Sequence, residues 1–256
     1  VSYKKLFTLD TTNNIFDLLY MKKSFTIKVP MSLDAIPLSH YQKYVKVVDE
    51  NKDNADQEFL SLKLLNIFCG ITMKQAYELP IAEYESILKH LSELLGEKSI
   101  LQRRFYMTDP KGKKVEFGFI PNLDKMTLGE YIDAEKYMSN WEDMHKAMAV
   151  FYRPIVAGNK DFYLIEKYKG SDEYSNIMKD APCSVAIGSM LFFLTLGIEL
   201  SKTTLDSLLS QQQISKEDLL AKDLEKNGDG INQYTRLQKE MYLKLTKLQE
   251  LIYIKR

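Results

Sequence analysis

The sequence predicts an α+β fold that is mostly α: a helical core, a small antiparallel β-sheet and a C-terminal helical arm. Three observations carry this. Apolar residues recur at helical spacing over most of the 256 residues, the period of an amphipathic helix. Residues 102–119 instead alternate on both sides of a turn, the signature of a hairpin. From residue 210 the composition turns polar, and a narrow apolar stripe returns only near the C-terminus. Three segments follow: an N-terminal extension over 1–20, a helical core domain with the small sheet over 21–210, and a helical arm over 211–256.

The elements can be justified in order. Residues 1–20 lack the long apolar run of a signal peptide, and Met21 is expected to be the natural start. Residues 24–29 (SFTIKV) alternate and predict a strand. Ser39 is placed to cap a first helix carrying Tyr41, Tyr44, Val45 and Val48. A second helix through Phe59, Leu62, Leu65 and Phe68 ends at Gly70, whose freedom at positive φ suits a helix stop. Thr72 and Gln75 form a capping box that opens a short third helix. Pro80 starts a fourth, with Tyr84, Ile87, Leu88, Leu91, Leu94 and Leu95 on one stripe, and Gly96 closes it.

In the hairpin, Phe105 and Met107 share one face, as do Val115, Phe117 and Phe119. Asp109-Pro110-Lys111-Gly112 has type I turn preferences. With the strand near residue 25 the hairpin would make three strands. Thr127 and Glu130 form a second capping box, starting a helix through Tyr131, Ile132, Glu135 and Met138. Asn140 caps the next, through Trp141, Met144, Met148, Val150 and Phe151, and Arg153-Pro154 ends it. Residues 162–168 read equally as a strand or a short helix. Ser171 starts a short helix, and a long buried one spans 184–209, where Gly188 and Gly197 permit close packing. The final helix, 231–254, carries Tyr234, Leu237, Met241, Leu245, Leu248 and Ile252 at 3–4 spacing, the narrow stripe of a helix that packs on its own domain or on a partner.

Composition narrows the function classes. Lys+Arg and Asp+Glu are 35 each, so net charge is zero. A domain that holds nucleic acid by bulk charge, or a polybasic membrane-surface protein, needs a basic excess. The apolar run 185–200 is too short and too interrupted to span a membrane. Cys69 and Cys183 sit in separate apolar runs and read as buried thiols. With no disulfide framework and no Asn-x-Ser/Thr site, a reducing cytoplasm is expected.

Site motifs are sparse. His40, His90 and His145 lack ligand spacing, and no phosphate loop or nucleophile elbow occurs. Asp223-x-Glu225-x-Asn227-Gly228-Asp229 resembles the start of an EF-hand loop, but Gly230 and Tyr234 occupy its later key positions, so it reads as an interhelical turn. Arg103, Arg104, Lys113 and Lys114 make a small basic patch on the hairpin, expected to keep a sheet edge soluble. The 11 Met residues offer adaptable contact surface. No catalytic, cofactor or metal residues are assigned.

Residues 60–95 carry a resemblance. Helix, Gly70, Thr72-capped short helix, Leu79-Pro80, then an amphipathic helix with Tyr84 and Leu88 is similar to a pattern in tail assembly chaperones and related structural-module proteins of tailed bacteriophages. The segments FGFIPNLDKMTLGEYIDAEKYM, HKAMAVFYRPI and MKDAPCSVAIGSMLFF resemble stretches in proteins of phages that infect gut Bacteroidetes. The resemblance implies a non-enzymatic assembly factor in the host cytoplasm, without a cofactor. It would bind an aggregation-prone tail or tape-measure protein through apolar helical surfaces. The contact residues expected are Tyr84, Leu88 and Leu91 and, from the apolar stripe of the arm, which the resemblance does not cover, Tyr234, Leu237, Met241, Leu245 and Leu248; self-association through the arm is the alternative expectation for that stripe. The alternative is a virion structural protein, a connector, ring or tail-associated subunit. A third reading, an enzyme built from Tyr131, Glu135, His145 and Arg153, rests only on their closeness in sequence.

Overall fold

The computed structural model describes residues 27–51, 56–109, 112–159 and 162–195. The N-terminal extension, the arm over 211–256 and the EF-hand-like loop lie outside them. Eight helices are described: α1 (Leu38–Glu50), α2 (Gln57–Cys69), α3 (Met73–Tyr77), α4 (Ile81–Leu95), α5 (Leu128–Met138), α6 (Met144–Phe151), α7 (Asp172–Met178) and α8 (183–195). Four strands, β1 (Arg104–Thr108), β2 (Lys114–Phe119), β3 (Tyr152–Gly158) and β4 (Tyr163–Ile165), form one antiparallel sheet in sequence order. This is the α+β, mostly α architecture that the periodicity predicts.

Local signals explain the helix ends. Asp56 caps α2, its Oδ1 accepting the Phe59 N–H at 3.1 Å. Gly70 ends α2 at φ 70°, a conformation that costs a residue with a Cβ. Both capping boxes form, Thr72 with Gln75 and Thr127 with Glu130. The start of α1 differs from expectation. Pro37 occupies the cap position, and the Ser39 side chain makes no cap. Instead the N–H groups of Leu38 and Ser39 donate to the carbonyls of Ala181 and Lys179, both at 2.8 Å. The orphan donors of a helix start are met here by backbone from the distant α7–α8 turn.

The sheet differs as well. Residues 27–30 are not in a strand, although Ile27 is buried, Lys28 exposed and Val29 half-buried. Alternation reports an extended segment with one face covered, and the pairing partner has to come from elsewhere. The third and fourth strands come from residues 152–165, where the sequence suggests a helix end and an ambiguous run. Pro154 sits inside β3 opposite Phe117 of β2. Its carbonyl accepts from Glu166 N–H at 2.9 Å, so the side of the backbone that lacks a donor faces the end of β4. The ladder to β2 therefore loses nothing, which is the condition for a strand proline.

The hairpin turn closes as predicted. Gly112 N–H donates to the Asp109 carbonyl at 2.9 Å, Asp109 N–H donates to Lys113, and Gly112 has φ 81°. Arg104 and Lys114 of the basic patch lie over the rings of Tyr163 and Tyr106. Arg104 also pairs with Glu116 at 3.7 Å. These charges cover the sheet's own aromatics.

The inner face of the sheet, with Phe105, Phe117, Phe119 and Tyr152, packs on α6 and α8. Phe151 and Phe193 stack at 4.2 Å between centroids, and Phe119 meets Phe192 and Phe193 at 5.7 Å each. Across α6 and α8, residues Ala147, Met148, Val150, Phe151, Val185, Ala186 and Met190 are fully buried. None of the described helices is long and apolar enough to cross a membrane. Gly188 of α8 lies against the backbone of Ile100 and Leu101, where a Cβ would overlap the Ile100 carbonyl. The close approach is therefore to the segment before β1 and not to another helix; Gly197 lies outside the described residues. Gly188→Ala should lower stability by about 1–3 kcal/mol, the usual cost of overpacking. Urea unfolding measures it, and an unchanged midpoint would contradict this packing.

Candidate interaction surface

A buried ion pair lies behind an exposed apolar face of α5. Glu130, in the first turn of α5, and Arg153 of β3 are each 5% exposed, and Arg153 Nη1 lies 2.5 Å from Glu130 Oε1. The carboxylate serves twice. Its Oε2 accepts from Thr127 N–H at 2.7 Å and from Thr127 Oγ1 at 2.8 Å, completing the capping box. Burial alone would raise the Glu130 pKa. The Thr127 hydrogen bonds and the Arg153 charge outweigh it and hold the carboxyl below its ordinary range. Charge on both partners is thus the stable state at neutral pH.

Tyrosines close the surroundings. The Arg153 guanidinium lies 5.4 Å from the ring centroid of Tyr168, whose hydroxyl donates to Asp133 of α5. Tyr174 of α7 donates to Glu166, which also takes Lys169 Nζ at 2.9 Å. Those two donors hold Glu166 below the usual carboxylate range. Burial, then the bond to Asp133, pushes the Tyr168 hydroxyl up. Among the described residues Arg153 Nε and Nη1 have no hydrogen-bond partner, so the 2.5 Å contact is a charge pair without hydrogen-bond alignment. Such a pair adds little net stability, but breaking it by removing one partner is costly.

The consequence appears on the far side of α5. Glu130, Ala134 and Met138 turn inward, which points Leu128, Tyr131 and Ile132 outward. They are 74%, 52% and 53% exposed. Spacing of three and four residues makes neighbours on one helix face, so these side chains form a continuous apolar stripe. A second exposed apolar group, Val156, Phe162 and Leu164, lies on the β3–β4 hairpin at the sheet edge.

The contact residues expected from the sequence are placed otherwise. Leu88 and Leu91 are buried, and Tyr84 is half-buried against the core. The α4 stripe is thus spent inside the domain, which corrects Leu88 and Leu91 as partner contacts. Tyr234, Leu237, Met241, Leu245 and Leu248 lie outside the described residues. Met107, Met138, Met144, Met148, Met178 and Met190 are buried, so these methionines fill core and not contact surface.

The four residues of the enzyme reading are not assembled. Tyr131 and Glu135 face solvent. His145 instead meets Gln42 of α1 at 3.2 Å, and Arg153 is closed off by Glu130 and Tyr168. A cavity of about 300 Å³ lies elsewhere, between residues 29–31 and α4, lined by Ser86, His90 and Glu93 among others. Among the described residues no three His, Cys, Asp or Glu side chains are grouped to hold a metal ion. The two cysteines are buried and unpaired, and burial pushes the Cys69 thiol up to about 12 and Cys183 higher still.

Comparison of the chain with family models, with curated proteins and with solved structures returned no match.

Removing Glu130 strands a buried guanidinium. Glu130→Ala should cost about 3–5 kcal/mol, measured by denaturant unfolding; a loss below ~1 kcal/mol would contradict the burial of the pair. The pH dependence has a definite sign. The folded pKa of Glu130 is depressed, so its contribution is complete above the ordinary glutamate value of about 4.3 and is lost as pH falls through the lowered folded value. Thermal melts carried from neutral pH to well below the ordinary glutamate value should show Glu130→Gln less acid-sensitive than the parent. Parallel curves would exclude this linkage.

Proposed function

We propose that this protein is a non-enzymatic phage assembly factor, similar to a tail assembly chaperone, acting in the host cytoplasm. Its client is an aggregation-prone tail or tape-measure protein, and the apolar face of α5 receives it. The observation that carries this reading is the stripe of Leu128, Tyr131 and Ile132, exposed on a helix whose other face is pinned by a buried ion pair. A chaperone surface of this kind needs apolar side chains in water and a backbone that does not collapse around them. The local pattern at 60–95 and the phage-like segments, two of which contribute α5 and Arg153, support the same reading from the sequence side.

The virion-subunit alternative draws on the second exposed group, Val156, Phe162 and Leu164, on a sheet edge. Unpaired edge strands with apolar side chains favour pairing between copies. Mass spectrometry of purified particles separates the two readings: a subunit remains in the virion, an assembly factor does not.

For the assembly factor, Ile132→Glu and Tyr131→Glu place charge on the α5 stripe without touching the core. Co-expression with the tape-measure-like protein encoded by the same phage should yield a soluble complex for the parent. Each variant should weaken capture by about tenfold, the effect of a central interface residue worth ~1.4 kcal/mol. Equal capture by parent and variants would overturn α5 as the client surface.

A further inference from the structure

We infer that the outer face of the β1–β2 hairpin binds single-stranded nucleic acid, with an unpaired base stacked on Tyr106 and the phosphates beside it held by Arg103, Lys113 and Lys114. This surface is on different elements from the α5 stripe, and its binding does not rest on the client reading.

Strand register sets which side chains share the face. Arg104, Tyr106 and Thr108 of β1 lie opposite Gly118, Glu116 and Lys114 of β2, and directly opposed residues of an antiparallel pair point the same way. The alternate residues Phe105, Met107, Phe117 and Phe119 are buried, so the first set faces away from the core. Two contacts agree with this: Lys114 Nζ lies 4.3 Å from the Tyr106 ring centroid, and Arg104 pairs with Glu116 at 3.7 Å. The inner limit of the face is the ring of Tyr163, which lies over Gly118 with the Arg104 guanidinium 4.4 Å from its centroid. Tyr163 is buried, which leaves Tyr106, on the edge strand of the sheet, as the ring a base can reach.

Two properties of this face fit a single strand. The first is the ring in water. Tyr106 is 55% exposed. Charged side chains keep a sheet edge soluble, but an exposed ring works against that end, and it is the group on which a base stacks. The second is charge. Arg103 before β1, Lys113 at the turn and Lys114 are exposed. With Arg104 they make four cations against Glu116 and Asp109, a local net charge of +2 in a chain whose total is zero. Cations gathered locally can meet phosphates without the bulk excess that the composition excludes.

The Lys114 contact does not block the ring. A lysine over an exposed ring is held more weakly than a stacked base, so a base displaces the ammonium and leaves it beside the adjoining phosphate. A duplex offers phosphates but no free base, so it lacks the stacking half of the interaction.

Fluorescence anisotropy of a labelled single strand of about 12 thymidines tests this with the full-length protein at low salt. The parent should bind, with a log–log salt slope of about −2, three phosphate contacts at ~0.7 each. Tyr106→Ala should weaken binding about tenfold with the slope unchanged, and Tyr106→Phe, which keeps the ring, should bind as the parent does. Lys114→Ala should weaken binding and reduce the slope by about 0.7. Both positions are exposed, so these variants leave the core intact. Uridine RNA of the same length is the second probe: tighter binding of either strand names the source, and equal binding assigns the face to both. Equal affinity of Tyr106→Ala and the parent, equal affinity for a duplex of the same length, or no binding by the parent at roughly 100 μM protein each overturns the inference.

Discussion

One carboxylate ties the start of α5 to the sheet. Glu130 accepts from Thr127 through one oxygen and pairs with Arg153 through the other. The first use belongs to the helix, since it closes the capping box. The second belongs to the tertiary fold, since Arg153 lies in the middle of the sheet. One side chain therefore converts a local helix start into a fixed orientation. With Glu130 facing inward, the helical period leaves Leu128, Tyr131 and Ile132 no place but the outside. Ala134 and Met138 turn inward on the same face as Glu130, so core packing and the ion pair select one orientation.

Stability comes from elsewhere. Desolvating a glutamate and an arginine offsets most of their attraction, while the α6–α8 layer removes large apolar surfaces from water at about 25 cal/mol per Å². The aromatic layer of Phe119, Phe151, Tyr152 and Phe193 joins the sheet to that helical pair. The core supplies free energy, and the ion pair, with Tyr168 and Asp133 beside it, holds one face of α5 inward.

Much of the architecture is legible in the sequence because its signals are local. Thr72 with Gln75, Thr127 with Glu130, Gly70, and the Asp109–Gly112 turn each need only a few consecutive residues, and each forms. The misread elements depend on distant partners. β3 is hidden because Phe151-Tyr152-Arg153-Pro154 reads as the end of a helix, and only pairing with Phe117–Phe119 makes it a strand. α1 is capped by the carbonyls of Lys179 and Ala181, which no window around Ser39 contains. The α4 stripe announces a covered face but not the cover, so Leu88 and Leu91 looked available to a partner when their own domain already covers them. The candidate surface on α5 was hidden for the same reason: the partners that cover Glu130, Ala134 and Met138 lie outside the α5 sequence window.

Native-state hydrogen exchange of α5 against α6 in the parent and in Arg153→Met is the most direct measurement of this dependence. If the ion pair alone orients α5, the amides of residues 132–138 should exchange about tenfold to a hundredfold faster in the variant, an opening eased by ~1.4–2.8 kcal/mol. The amides of residues 148–151 in α6 should keep their protection. Equal acceleration in both helices, or none in either, would show that α5 is held by the general packing of the core and that the Glu130–Arg153 pair does not set its face.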